Sequence, residues 1–157
     1  IQGVKLHKKI DDYTDRHEIF KRSVKRLTPN YGHYAWVVVD IFYDHFLAKN
    51  WNIYHRKTLD EYALNIYQFL DSRYDELPIQ SQRFLWYMKE YHILYNYSKL
   101  EGIEKVLYGL DTRTRFKSNM KDSMKELNEF YTEFGIDFSE FFPQLIEFVE
   151  AQEEFIS

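Results

Sequence analysis

The chain has 157 residues, a formal net charge of -4 and no cysteine. A chain of this length suits one domain spanning residues 1–157 and can bury roughly 70% of its unfolded surface. The lack of thiols excludes disulfides, thiolate zinc sites and cysteine nucleophiles; no apolar run reaches the roughly 18 residues that cross a bilayer, no signal peptide is visible, and a cytoplasmic protein is expected.

Only 5 Gly and 3 Pro interrupt the chain, and apolar residues recur mostly at intervals of three and four, so the fold class expected is all-α. A first helix is expected over about residues 4–27, stopped by the turn-forming run Thr28-Pro29-Asn30-Tyr31-Gly32. A second is expected over about 33–49, ending near Asn50; its length and the Ile41, Phe42, Leu47 pattern outweigh the β propensity of Val37-Val38-Val39. Thr58-Leu59-Asp60-Glu61 is a capping box and starts a third helix, which should stop before Leu77-Pro78. A fourth spans about 79–97 and a shorter one about 99–110. A sixth, about 114–134, should end at Gly135, a good C-cap residue. Asp137-Phe138-Ser139-Glu140 offers another capping box with Pro143 in the first turn of the last helix. The 14 Tyr and 13 Phe then supply a core and rim of large rings.

Charge is uneven. Residues 1–57 carry +5, residues 58–100 carry -2 and residues 101–157 carry -7. The basic first third suits an anionic substrate or partner, or else a solvated helix face.

Two acidic stripes with helical spacing stand out. His7, Asp11 and Asp15 recur every fourth residue, as do Asp40 and Asp44, so each set shares one helix face. The second set interrupts the apolar run Ala35–Phe46, where a carboxylate is costly to bury unless it is paired or binds metal. Packed side by side, the two helices would offer nitrogen and oxygen ligands suited to Mn²⁺, Fe²⁺, Zn²⁺ or Mg²⁺. The other reading is surface ion pairing, with Lys8, Lys9 and Arg16 close to Asp11, Asp12 and Asp15. His45 points about 100° away from Asp44 and suits a proton-transfer or supporting role better than ligation of the same ion. Late in the first helix, Lys21, Arg22, Lys25 and Arg26 form i, i+4 pairs and one basic patch. Arg113 and Arg115 open the expected sixth helix, where the macrodipole disfavours cations; they read as an anion contact or as partners of the acidic last third. No glycine-rich phosphate loop, catalytic Ser-His-Asp order or nucleic-acid motif is present.

The runs Gly3-Val-Lys-Leu-His-Lys-Lys-Ile-Asp11, Thr14-Asp15 and Asp40-Ile-Phe-Tyr-Asp-His-Phe-Leu-Ala-Lys-Asn-Trp51 resemble the acyl carrier protein phosphodiesterase family. Phe84-Leu-Trp86, Val106-Leu-Tyr-Gly-Leu110, Arg113-Thr-Arg115 and Phe142-Pro143 extend the likeness along nearly the whole chain. The resemblance implies a bacterial, HD-domain-like bundle of about six or seven helices, distantly related to HD-domain phosphohydrolases. It implies removal of 4′-phosphopantetheine from holo-acyl carrier protein with the help of a divalent metal, Mn²⁺ in the first place and Mg²⁺ or Fe²⁺ as alternatives. His7, Asp11 and Asp44 would be metal ligands, with Asp40 and His45 as catalytic neighbours. The carrier protein implied is acidic, so Lys8, Lys21, Arg22, Lys25, Arg26, Arg113 and Arg115 become its expected contacts; neither nucleic acid nor a membrane is expected as a partner. The resemblance also implies a segment with a Gly-Asn-x-x-x-Asp-like motif ahead of the His7 motif, whereas this sequence starts at Ile1. Other readings are a related phosphohydrolase acting on another phosphodiester or a nucleotide, and a non-catalytic helical module that binds the carrier protein.

Overall fold

Helix-forming sequence with few breakers yields helices almost throughout. The computed structural model describes residues 2–156, with side chains described for residues 3–152. Among the described residues there is no strand, so the fold is all-α. The α-helices are α1 (Gln2–Arg16), α2 (Glu18–Tyr31), α3 (Ala35–Lys49), α4 (Trp51–Tyr54), α5 (Leu59–Ser72), α6 (Ile79–Glu90), α7 (Ile93–Asn96), α8 (Leu100–Arg113), α9 (Met124–Glu129) and α10 (Tyr131–Ile156), with 3₁₀ turns at Gly32–Tyr34, Tyr74–Glu76 and Met120–Ser123.

α1, α2 and α3 pack against α10, while α8 covers α3. Their shared core is aromatic: Phe20, Phe42 and Phe134 are fully enclosed, together with Leu27, Val38, Ile103, Leu107 and Leu127. α5, α6 and α7 form a separate arm around a much smaller cluster of Ala63, Tyr67 and Leu85. The Thr58 capping box forms as its sequence requires, with Thr58 and Glu61 each satisfying the other's backbone N–H.

Several boundaries differ from the periodicity. The expected first helix is two helices, because His17 takes an extended conformation and its Nδ1 accepts the N–H of Ile19, capping α2. α2 then runs on through Pro29 to Tyr31, and the Thr28 hydroxyl donates to the carbonyl of Val24. The expected fourth helix breaks at His92, which is left-handed. Gly135 does not end a helix: it lies within α10, where an added Cβ would stand 3.2 Å from the Phe46 ring, so close packing rather than capping explains it. Asp137 and Pro143 also lie within α10 instead of at its start.

Candidate active site

α1 and α3 each carry an acidic stripe, and α10 brings an aromatic wall between them. Asp11, Thr14 and Asp15 from α1 and Asp40, Tyr43 and Asp44 from α3 line a cleft of about 440 Å³. Phe138, Phe141, Phe142 and Leu145 of α10 form its apolar side. Four carboxylates thus share one cleft with no Lys or Arg in its lining. The i, i+4 step from Asp11 places Asp15 in the α1 stripe, though not among the expected ligands, and Thr14 is an addition to the expected site residues.

The electrostatics follow from that composition. The carboxyl of Asp40 is pushed up to about 6, first by burial among the cleft walls and then by the negative charge of Asp15 and Asp11. Asp44 is pushed up to about 7, mainly by burial and then by Asp40. Both residues are exposed at the cleft mouth, so solvent tempers the burial penalty, while its upward sign follows from the apolar and anionic neighbours.

His7 sits one turn from Asp11, and its Nε2 is 3.3 Å from Asp11 Oδ2; both are exposed. It does not line the cleft. Among the described residues, no three His, Asp or Glu side chains converge closely enough to hold one ion. The donor set nonetheless fits a hard divalent cation in its chemistry, because it offers several carboxylate oxygens whose charge no protein cation offsets.

His45 lies on another face of α3 from the cleft. It is only 1% exposed. The carbonyl of Tyr97 can only accept, so His45 donates to it through Nδ1–H at 2.9 Å. Nε2 then accepts the Tyr131 hydroxyl at 2.7 Å, and that hydroxyl oxygen accepts from Lys49 at 2.9 Å. Burial lowers the pKa of His45, the hydrogen bond to Tyr97 opposes that, and Lys49 adds to the lowering. With both nitrogens engaged, the imidazole clamps α3 to α10 and to the turn at Tyr97, and it has no free nitrogen facing the cleft.

The basic patch of α2 is largely occupied within the molecule. Arg22 donates to Asp137 Oδ1 at 2.6 Å and to Glu140 at 3.0 Å, and Arg26 donates to Asp137 Oδ2. Lys21 lies 3.4 Å from Glu18. Lys8, Lys25, Arg113 and Arg115 are exposed and have no carboxylate partner among the described residues.

The family model described as acyl carrier protein phosphodiesterase matches residues 1–145. The chain belongs to the acyl carrier protein phosphodiesterase family. Relatives bearing that name include one from Photorhabdus laumondii, 26% identical over 98% of this chain and 78% of the relative. Another, from Klebsiella pneumoniae strain 342, is 25% identical over 98% of this chain and 80% of its own. A third, from Escherichia coli O6:H1, is 25% identical over 94% and 77%. No solved structure matches the chain. For the acyl carrier protein phosphodiesterase family, the match spans both acidic stripes and most of α10, the helices that build the cleft.

Proposed function

We propose that this protein hydrolyses the phosphodiester that joins 4′-phosphopantetheine to the serine of holo-acyl carrier protein. Beside the family membership, the observation that carries this reading is the cleft with four carboxylates, no lining cation and an aromatic wall. Asp11 and Asp44, with His7 beside Asp11, would hold a divalent ion, Mn²⁺ in the first place. When bound, such an ion supplies charge stabilisation to phosphoryl oxygens and acidifies water. Kinship to HD-domain phosphohydrolases belongs to the same proposal.

Asp40 stands in the same cleft, where it would accept the proton of the attacking water. The water oxygen bonds to phosphorus as the bond to the serine oxygen breaks. The proton held by Asp40 then passes to that serine oxygen, leaving apo-carrier protein and free 4′-phosphopantetheine. Half-buried Phe142 and Leu145 would seat the alkyl stretches of the pantetheine arm, backed by the buried Phe138 and Phe141.

Mass spectrometry of holo-acyl carrier protein after incubation with the protein and Mn²⁺ tests the reading. Loss of the phosphopantetheine mass is expected; an unchanged mass in every divalent metal would sink it. The absence of three converging donors among the described residues favours one second reading, a module that binds the carrier without cleaving it. Retained carrier binding with no turnover would single that reading out.

A further inference from the structure

All six cations of the acidic last third fall within residues 105–125: Lys105, Arg113, Arg115, Lys117, Lys121 and Lys125. The same stretch holds two acids, Asp111 and Asp122, so it carries +4 inside a region that totals -7. All six cations are exposed, and none has a carboxylate partner among the described residues. No ion pair with a carboxylate therefore ties these charges into the fold among the described residues.

The ledge that presents them is built, not slack. Arg115, Phe116 and Asn119 take left-handed backbone with φ of 55°, 59° and 54°, which residues other than glycine keep only when their surroundings hold them there. Fully buried Asp111 does the holding: its Oδ1 accepts the Ser118 hydroxyl at 2.7 Å and its backbone carbonyl accepts the N–H of Phe116 at 2.9 Å. The Ser118 N–H donates to Thr114 Oγ1 at 3.2 Å. The effect is to turn Phe116 outward, 43% exposed, with Tyr108 at 5.9 Å and the Lys121 ammonium 4.7 Å from its ring centroid.

The chemistry displayed is an exposed aromatic ring with the Lys121 ammonium over it and Arg115 and Lys117 beside it in the chain. Its field is short in reach, because residues 126–154 contain nine acids and no cation, and only Asp137 and Glu140 of them are paired with arginine among the described residues. Exposed Glu129 and Glu133 follow the ledge at once, and α9 packs on α10. A long phosphate backbone leaving the ledge would run into that acidic helix. A compact acidic surface with one apolar side chain at its centre would not.

We propose that this ledge is the docking surface for a compact acidic face of a protein partner, with Phe116 as its apolar anchor. No ledge residue lines the carboxylate cleft. The inference rests on the carrier-protein reading for its probe, holo-acyl carrier protein.

The experiment is calorimetric titration of that probe into wild type and an Arg113→Glu/Arg115→Glu/Lys117→Glu variant at low and physiological salt. The variant should bind on the order of tenfold more weakly or worse at low salt, with a flatter salt dependence. Its hydrolysis of bis(4-nitrophenyl) phosphate, which is too small to need a docking face, should equal that of wild type. Lys117→Glu alone lies outside the Asp111 network and the left-handed positions, and it serves if the triple variant fails to fold. Phe116→Ala should weaken binding without changing its salt dependence. Equal affinity in wild type and variants would overturn the proposal. So would tighter binding of a dT oligonucleotide or of phosphatidylglycerol vesicles than of the carrier protein. Binding at the ledge without turnover would sink the phosphodiesterase reading and leave the ledge standing; turnover with unchanged kcat/KM in the variants would do the reverse.

Discussion

Asp44, exposed in a cleft lined by phenylalanines, and Asp137, buried within α10, are carboxylates whose acidities move in opposite directions. At Asp137, burial works to raise the pKa, but hydrogen bonds from Arg26, Arg22 and Ser23 outweigh it, and the net effect is a lowered value. At Asp44, exposed at the cleft mouth, partial desolvation raises the pKa with no hydrogen bond to oppose it, and Asp40 adds like charge. The contrast separates a carboxylate that holds the fold from one held ready for something else. α10 is tied to α2 through Asp137, whereas the cleft carries an uncompensated negative field of the kind found where a cation or a proton is to be received.

The largest expected effect tests the second half of that contrast. Asp44→Ala and Asp11→Ala should each abolish measurable hydrolysis of holo-carrier protein, and Asp44→Asn should fail too, since a neutral amide is a poorer ligand for a hard cation. Mn²⁺ should raise the melting temperature of wild type but not of Asp44→Ala, because binding to the native state alone stabilises it. An equal Mn²⁺ response in both would return the acidic stripes to surface pairing.

Next comes Asp137→Asn, which should leave the cleft chemistry in place and cost about 3 kcal/mol of unfolding free energy, read by urea denaturation. A loss below about 1 kcal/mol would mean that the arginines find solvent as good a partner and that Asp137 is no anchor.

The two carboxylates should also leave opposite marks on the pH dependence of stability. A folded-state pKa raised from 3.8 to about 6 and 7, at Asp40 and Asp44, makes the folded form bind protons more tightly than the unfolded one. That contribution is complete below the unfolded value and is lost as pH rises through the folded values. Chelator-treated protein should therefore lose stability between about pH 4 and 7, and Asp44→Asn should flatten the slope. Asp137, with its lowered value, contributes above its unfolded pKa and is lost only in stronger acid. Melting curves across that range decide the matter, and a flat wild-type profile would contradict the crowding of the cleft.

The smallest effect is at Ser23, whose oxygen lies 2.7 Å from the Tyr43 hydroxyl and 2.8 Å from Asp137 Oδ2. Ser23→Ala removes one support of the compensated carboxylate while sparing both arginines. About 1 kcal/mol is expected in the same denaturation experiment, with the fold intact.

Much of this was legible in the residue order. Few breakers and regular apolar spacing marked the helices, the Thr58 box marked a start, and the i, i+4 acids marked the cleft. What escaped depended on groups distant in sequence. His17 caps α2 through a ring nitrogen, a role usually filled by Ser, Thr, Asp or Asn. Gly135 and Asp137 imitate a helix end and a new start, but Phe46 needs the missing Cβ of one, and Arg22 and Arg26 need the charge of the other. The helical step of about 100° already turns His45 away from Asp44 in the sequence, but it does not show the engagement by Tyr97 and Tyr131, which leaves no nitrogen for proton transfer in the cleft. Of the cations of residues 105–125, Arg113 and Arg115 stood out, while Lys105, Lys117, Lys121 and Lys125 vanished into the average of an acidic third.

The arm formed by α5, α6 and α7 carries one more implication. Its cluster buries only Ala63, Tyr67 and Leu85, while Phe69, Phe84 and Trp86 stay more than half exposed. So little enclosed apolar surface gives the arm a lower opening free energy than the aromatic body, and its amide hydrogens should exchange with deuterium well before those of α2, α3 and α10. The same molecule would then have two lifetimes: a slow one for the helices that hold the carboxylates in place, and a fast one for a segment that opens and recloses while the cleft stays whole.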